Sequence, residues 1–423
     1  MKPFLLEHNP VSFLLIIAVF LLPFAQVKVL PFGLPLYLHE IAIAIAFVFF
    51  SLSCLKEKQD KFFLRDTPFL VGVALFCLGA MLSFLVNPFS LMGLGMLKSW
   101  FFFPFLAGWL IFSETRTLEK REAFFFAWFL MLLATAIGTL SFLFADVLTY
   151  DHRLSGPYPS PNFLAFFLAP APLIALYLSF LSEEQGGKNF FQQALLFSGS
   201  ALVLVILFFT RSYGVWGALF GAITFFLFGS RIFQHFSKKT LSLILIILFS
   251  AGTFFFFEHG SEKWQATFSS DTRSSLASRV MIWRAAEKIL EDNLVFGIGP
   301  GRFQAEYLEY QKYFPPYLEW AVPEPHNLYL AVLLSTGLTG FFGFLLLVGR
   351  FGYLAFQSLI SEVNEVKRLT AALTLALLLL TLVYGVTDTP YFKNDLALSF
   401  ALLLALGFSN IKSQEKKNSP SGE

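Results

Sequence analysis

PEPHNLYLAVLLSTGLTGFFGFLLL, Pro323 to Leu347, decides the fold. A proline-rich polar approach gives way to a run without acidic or basic side chains. A helix needs roughly 20 such residues to cross the hydrocarbon core of a bilayer. Runs of this kind recur along the chain and predict about twelve spans, near 11–30, 36–55, 67–86, 91–112, 123–147, 162–181, 194–210, 213–229, 240–257, 327–348, 369–386 and 395–411. The pair that meets at Arg211 is short and closely spaced.

Composition agrees. Hydrophobic residues make up 56%, charged residues 14%, and mean hydropathy is +0.68. These values exclude an ordinary soluble domain and predict an all-α polytopic membrane protein. The net charge of +2 points to no particular partner, and no nucleic-acid partner is expected. Cys54 and Cys77 lie in apolar runs and read as small buried residues, outside any disulfide framework or metal site. The amino-terminal run lacks a small-residue cleavage site and reads as a retained span.

Basic residues set the expected orientation. With the N-terminus in the cytoplasm, Lys56, Lys58, Lys61 and Arg65, then Arg116, Lys120 and Arg121, then Lys188, then Arg231, Lys238 and Lys239, then Arg350, Lys367 and Arg368 all fall inside. The chain then divides into residues 1–257 (nine spans), 258–325 (an outward-facing loop carrying a helix), 326–411 (three spans) and 412–423 (a disordered cytoplasmic tail). In a Gram-negative cell the loop faces the periplasm. No internal repeat suggests a transporter's inverted halves.

The polar loop carries most of the candidate chemistry. RVMIWRAAEKILEDN, Arg279 to Asn293, is helical in pattern, with Ser274 or Ser275 as cap. At 100° per residue, Leu276, Ile282, Trp283, Ala286 and Leu290 share one face with Arg279 at its centre, while Arg284 and Lys288 point the other way. An arginine on the buried side is costly unless it meets an anion. This favours Arg279 over Arg284, against the ordinary reading of a structural ion pair. Arg211, in FFTRSYGVWGALFG, runs against the inside bias of basic residues; the ordinary reading is a snorkelling interfacial arginine. GIGPGRF, Gly297 to Phe303, has neither phosphate-loop nor dinucleotide spacing and reads as a turn returning the chain to the membrane surface, with Arg302 within reach of a ligand. His326 stands at a helix mouth, where a neutral imidazole can serve as general base; the ordinary reading is an interfacial histidine bonded to backbone. Arg153 and Asn162 in DHRLSGPYPSPN, Asn327 beside His326, and Asp388 in GVTDTPYFKND can line an entrance between spans; each residue type is also common as a loop or cap residue. No cluster at ligand spacing predicts a metal.

Four stretches in this order resemble the O-antigen ligase and polymerase superfamily: RLSGPYPSPNFLAFFL, TRSYGVWGALFG, SRVMIWRAAEKILEDNLVFGIGPGRF and PHNLYLAVLLSTGLTGFFGFLLL, with TDTPYFKND before the last span. The resemblance covers most of the chain and is strongest between residues 150 and 345. It implies a GT-C-like inverting glycosyltransferase of the bacterial inner membrane that uses no metal or cofactor. The donor would be a glycan on undecaprenyl diphosphate, the acceptor lipid A–core or another glycan. Carried over, Arg211 and Arg279, with Arg284 as helper, would hold the diphosphate, and His326 would take the acceptor proton. Transfer to lipid A–core, an O-antigen ligase activity, is the expected reaction; polymerisation of lipid-linked repeats is the alternative within the superfamily. A polysaccharide transporter or flippase is the alternative from another class. It predicts more intramembrane charge than Lys98, the main such residue read from the sequence.

Overall fold

The computed structural model describes residues 9–30, 35–57, 66–184, 190–230, 238–261, 264–265, 275–315 and 321–412. Ser274, the segment beyond Lys412, and the basic residues Lys58, Lys61, Arg65, Lys188 and Arg231 lie outside them. Helices dominate: α1 (Pro10–Phe20), α2 (Leu38–Glu57), α3 (Thr67–Val86), α4 (Leu91–Glu114), α5 (Leu118–Phe144), α6 (Pro161–Leu168), α7 (Pro170–Glu184), α8 (Phe190–Thr210), α9 (Tyr213–Gly229), α10 (Lys238–Glu258), α11 (Ser275–Asn293), α12 (Phe303–Tyr310), α13 (Leu328–Ser361), α14 (Glu365–Tyr384) and α15 (Asn394–Lys412). Among the described residues, nine stretches are long and apolar enough to cross a membrane, and Pro10–Phe20, Tyr213–Gly229 and Ile244–Glu258 are shorter apolar helices. Together they account for the twelve expected segments. The protein is an all-α polytopic membrane protein.

Four expected spans differ in shape. The first helix stops at Phe20; a 3-10 turn over Leu22–Phe24 and a hairpin pairing Lys28–Val29 with Leu36–Tyr37 follow. Pro23 lacks the N–H a continuing helix would need. The expected 162–181 span divides at Ala169 into α6 and α7, with prolines at 161 and 170. An 18-residue window of their combined segment Pro161–Ser182 is wholly buried within the protein, so this pair of helices lies inside the bundle. The fourth span contains a π segment, Lys98–Phe102. There Lys98 pairs with Glu40, whose side chain is fully buried and whose Oε1 accepts from Ser99 Oγ at 2.6 Å. The intramembrane lysine therefore has a carboxylate partner, as desolvation of an ion requires.

The expected 327–348 span is the start of a much longer element. Helix α13 runs 34 residues and is broken at Gly337, which has φ 62° and ψ −170°. Asn327 caps its start, its Oδ1 accepting from Tyr329 N and Leu330 N at 3.0 Å each. The break at Gly337 frees backbone groups inside the bundle, where water cannot satisfy them. The GIGPG turn supplies their partners: Leu338 N donates to Val295 O at 3.1 Å, and Ile298 N to Leu334 O at 2.7 Å. Asn87 Nδ2 from the end of α3 donates to Gly297 O at 3.1 Å. A Cβ on Gly297 or Gly337 would collide with backbone of the other segment, so both must be glycine. The turn therefore does more than return the chain to the membrane surface; it is set into the side of α13. Below it α3 and α13 touch through Gly79 and Gly340, the close small-residue approach typical of membrane helices.

The polar island between α10 and α13, which carries α11 and α12, has its own core. Met281, Ile282, Ala285, Ala286, Ile289 and Leu290 of α11 pack on Ile298, Phe303, Tyr307, Val322 and Leu334. The expected apolar face is thus formed around Ile282, Ala286 and Leu290, whereas Leu276, at 50% exposure, is outside it.

Candidate functional site

Five segments far apart in sequence meet at the island end of the bundle: the loop after α5, the α8–α9 junction, the start of α11, the mouth of α13 and the loop between α14 and α15. Three of them bring strained backbone. Among the described residues, Asp146, His152, Arg211 and His326 are the non-glycine positions with positive φ. Such conformations cost on the order of 1–3 kcal/mol and persist only where surrounding contacts enforce them. At Arg211 (φ 47°) and His326 (φ 48°) the strain falls on candidate functional residues.

The first feature is a cavity of about 190 Å³ lined by Arg153, Arg211 and Arg279, with Asn162, Tyr213, Gly214, Ser275, Tyr384 and Thr387 among its walls. Arg279 reaches it from the first turns of α11: its Nε donates to Thr387 O at 2.9 Å and its Nη1 to Ser275 Oγ at 2.6 Å. Arg211 forms an ion pair with Glu258 at 3.1 Å. Glu258 ends α10, is 2% exposed, and also accepts from Tyr213 Oη at 2.6 Å. Arg153 donates to Thr210 O at 2.7 Å and to Asn162 Oδ1 at 2.6 Å, and lies 3.6 Å from Asp151. Burial pulls the Arg153 guanidinium below its ordinary value, partly offset by Asp151. Three guanidinium groups around so small a space repel one another, and Glu258 and Asp151 offset two of the charges. The surplus favours an anion, and guanidinium forks match phosphate oxygens in pairs.

The second feature adjoins it. His326 Nδ1 lies 3.2 Å from Asp388 Oδ1. The other carboxylate oxygen accepts from Tyr384 Oη at 2.9 Å and from Asn162 Nδ2 at 3.4 Å, and Thr389 N donates to Oδ1 at 2.9 Å. Burial pushes the Asp388 carboxyl up, but the His326 hydrogen bond and the charges of His326 and Arg279 outweigh it and bring the group down to about 2. An ionised Asp388 fixes the hydrogen on Nδ1, which leaves Nε2 to accept a proton. Trp283 Nε1 donates to His326 O at 3.3 Å and ties the histidine to α11. Through Asn162 and Arg153 the pair is continuous with the arginine cavity.

The remaining expected residues lie apart. Arg284 is exposed on α11 and lines neither this cavity nor the larger one near the amino terminus. Arg302 ties the glycine turn to the α3–α4 loop, donating to Pro88 O at 3.3 Å and Glu306 Oε1 at 3.0 Å. Asn327 is occupied as the α13 cap and donates to Val386 O at 3.0 Å. Sequence reasoning missed Tyr384, Thr387 and Glu258. Glu258 had a legible signal, an acid at the end of an apolar run; Tyr384 and Thr387 carried none.

Residues 198–345, about a third of the chain, match the model of the O-antigen ligase family. The match includes Arg211, Arg279 and His326, while Arg153, Asn162 and Asp388 lie outside it and join the site only through the fold. No protein of curated function matches the sequence. Over that third of the chain the protein is similar to the O-antigen ligase family.

Proposed function

We propose that the protein is a membrane glycosyltransferase that moves a glycan from a polyprenyl diphosphate to an acceptor hydroxyl, as an O-antigen ligase acting on lipid A–core at the periplasmic face of the inner membrane. The observation that carries this reading is the convergence of Arg153, Arg211 and Arg279 on one cavity beside the His326–Asp388 pair. In the reaction the acceptor oxygen attacks the anomeric carbon and the bond from that carbon to the diphosphate oxygen breaks. The electron pair leaves with the diphosphate, and the acceptor proton passes to His326 Nε2. The arginines stabilise charge that grows on the leaving group, the place where fixed donors lower a barrier most. Single displacement inverts the anomeric centre, and a product with retained configuration would sink that step. Arg284 and Arg302 lie outside this machinery.

The lipid tail has a path. From Gly214 at the cavity wall, Gly217 and Gly221 continue down an exposed face of α9, and a Cβ at either would meet nothing within 4 Å. A flexible isoprenoid chain fits such a face.

The test is a deletion strain complemented with Arg211→Ala, Arg279→Ala and His326→Ala, with surface polysaccharide read on a gel. Free lipid-linked chains beside bare core support a ligase. Single capped cores identify a polymerase. Full-length ladders from all three variants overturn the assignment.

A further inference from the structure

On the other side of the strap that carries His326 lies a cavity of about 620 Å³, well within the roughly 300–1,000 Å³ range of small-molecule sites. Glu324 and Pro325, the two residues before His326, form part of its wall, and Phe163, next to Asn162 of the arginine cavity, forms another part. The His326 strap and the 158–163 loop therefore separate two chambers. Its lining is unlike that of the first. Its wall is largely aliphatic, with aromatic rings set into it, among them Trp100, Tyr158 and Phe392, and Gln26 and Gln304 contributing amides. Its charges balance: Lys28 and Lys393 stand against Glu324 and Asp395. Glu324 is ion-paired with Lys393 and accepts from Thr389 Oγ1, next to Asp388. The pair thus couples this wall to both halves of the His326–Asp388 unit. Trp100 is fixed by its Nε1 bond to Asn394 Oδ1 at 3.0 Å, which holds its ring in the wall.

We infer that this second chamber binds the acceptor as an uncharged sugar end, which the Glu324–Lys393 pair and the glutamine amides orient towards His326. The inference rests on the glycosyltransferase reading above. Sugars offer hydroxyls to carboxylate, ammonium and amide groups and C–H faces to aromatic rings, the two kinds of surface found here. A phosphate-rich ligand would need the cationic surplus of the first cavity, which this chamber lacks. The sugar can arrive on lipid A–core or on a second polyprenyl-linked repeat.

The experiment uses the full-length protein in lipid nanodiscs with a polyprenyl-diphosphate-linked glycan as donor. Two acceptors are compared, purified lipid A–core and a lipid-linked repeat; whichever is used efficiently identifies the source. Gln304→Trp, at an exposed position of α12, narrows the chamber, and Lys393→Gln removes the charge that pairs Glu324. Each should raise the KM for acceptor about tenfold or more, Lys393→Gln by loss of one charged hydrogen bond and Gln304→Trp by filling the space the sugar needs. Affinity for farnesyl diphosphate, which probes the arginine cavity alone, should stay unchanged. Acceptor KM unchanged in both variants overturns the inference, as does a matching loss of farnesyl diphosphate affinity. The parent reading fails separately, if Arg279→Ala retains both transfer and farnesyl diphosphate binding.

Discussion

Asp388→Asn probes the site most directly, because one atom changes two quantities. The carboxyl falls from an ordinary 3.8 to about 2 in the folded protein, equivalent to about 2.5 kcal/mol in favour of the charged form. Its folded value lies below its unfolded one, so this contribution is complete above about pH 3.8 and is lost as pH falls through 2. The asparagine variant should therefore show a flatter acid-unfolding limb in that window. The catalytic effect is larger. Asparagine can donate to Nδ1, which moves the imidazole hydrogen to Nε2 and blocks the position that must accept the acceptor proton. A general base contributes roughly 10²- to 10⁴-fold, so kcat should fall by about that factor with donor KM little changed. Asp388→Ala removes the partner without imposing the wrong tautomer, so it should be the milder variant. Initial rates with a lipid-linked donor decide the matter. An asparagine variant within threefold of the parent, or no worse than alanine, would refute the orienting role of Asp388.

Arg279→Ala should lower transfer by about 10²-fold or more, whereas Arg284→Ala, on the exposed side of α11, should leave it nearly unchanged; equal losses would contradict the geometry. Glu258→Gln removes the carboxylate paired with Arg211 at 3.1 Å, raises the positive surplus of the cavity, and should tighten farnesyl diphosphate binding measured by titration in detergent. Gly217→Leu and Gly221→Leu should raise KM for a long-chain donor and spare a short-chain one; an equal effect on both would remove α9 from the lipid path. Gly297→Ala forces a Cβ against backbone at φ 68°, and should cost about 2 kcal/mol or more in thermal unfolding.

Much of the bundle was legible because bilayer thickness imposes a minimum apolar length, and every expected span has a helical counterpart. What hydropathy cannot register is backbone direction. Gly337 sits in an unbroken apolar run, and its break depends on the GIGPG turn, which reaches it only in three dimensions. Helix α1 ends early because Pro23 removes a donor, a local cue that an apolar window averages away. In the site, Arg211, Arg279 and His326 stood out as polar groups in apolar or amphipathic settings. Their partners did not: Asp388 lies 62 positions from His326, Arg153 reaches Thr210 across 57, and each looked like an ordinary loop residue. The helical wheel ranked Arg279 over Arg284 but misplaced Leu276, because the face at the very start of α11 turns towards the cavity and away from the island's core.

The interlock of Gly297 with Gly337 also fixes where α11 stands. Backbone bonds from Leu338 to Val295 and from Ile298 to Leu334, with the apolar contacts of Ile282, Ala286 and Leu290, fasten its carboxyl-terminal end to the broken helix. Near its start the same helix reaches the loop after α14 through the bond from Arg279 Nε to Thr387 O. A side chain at Gly297 would therefore displace the helix that carries Arg279 as well as the turn itself.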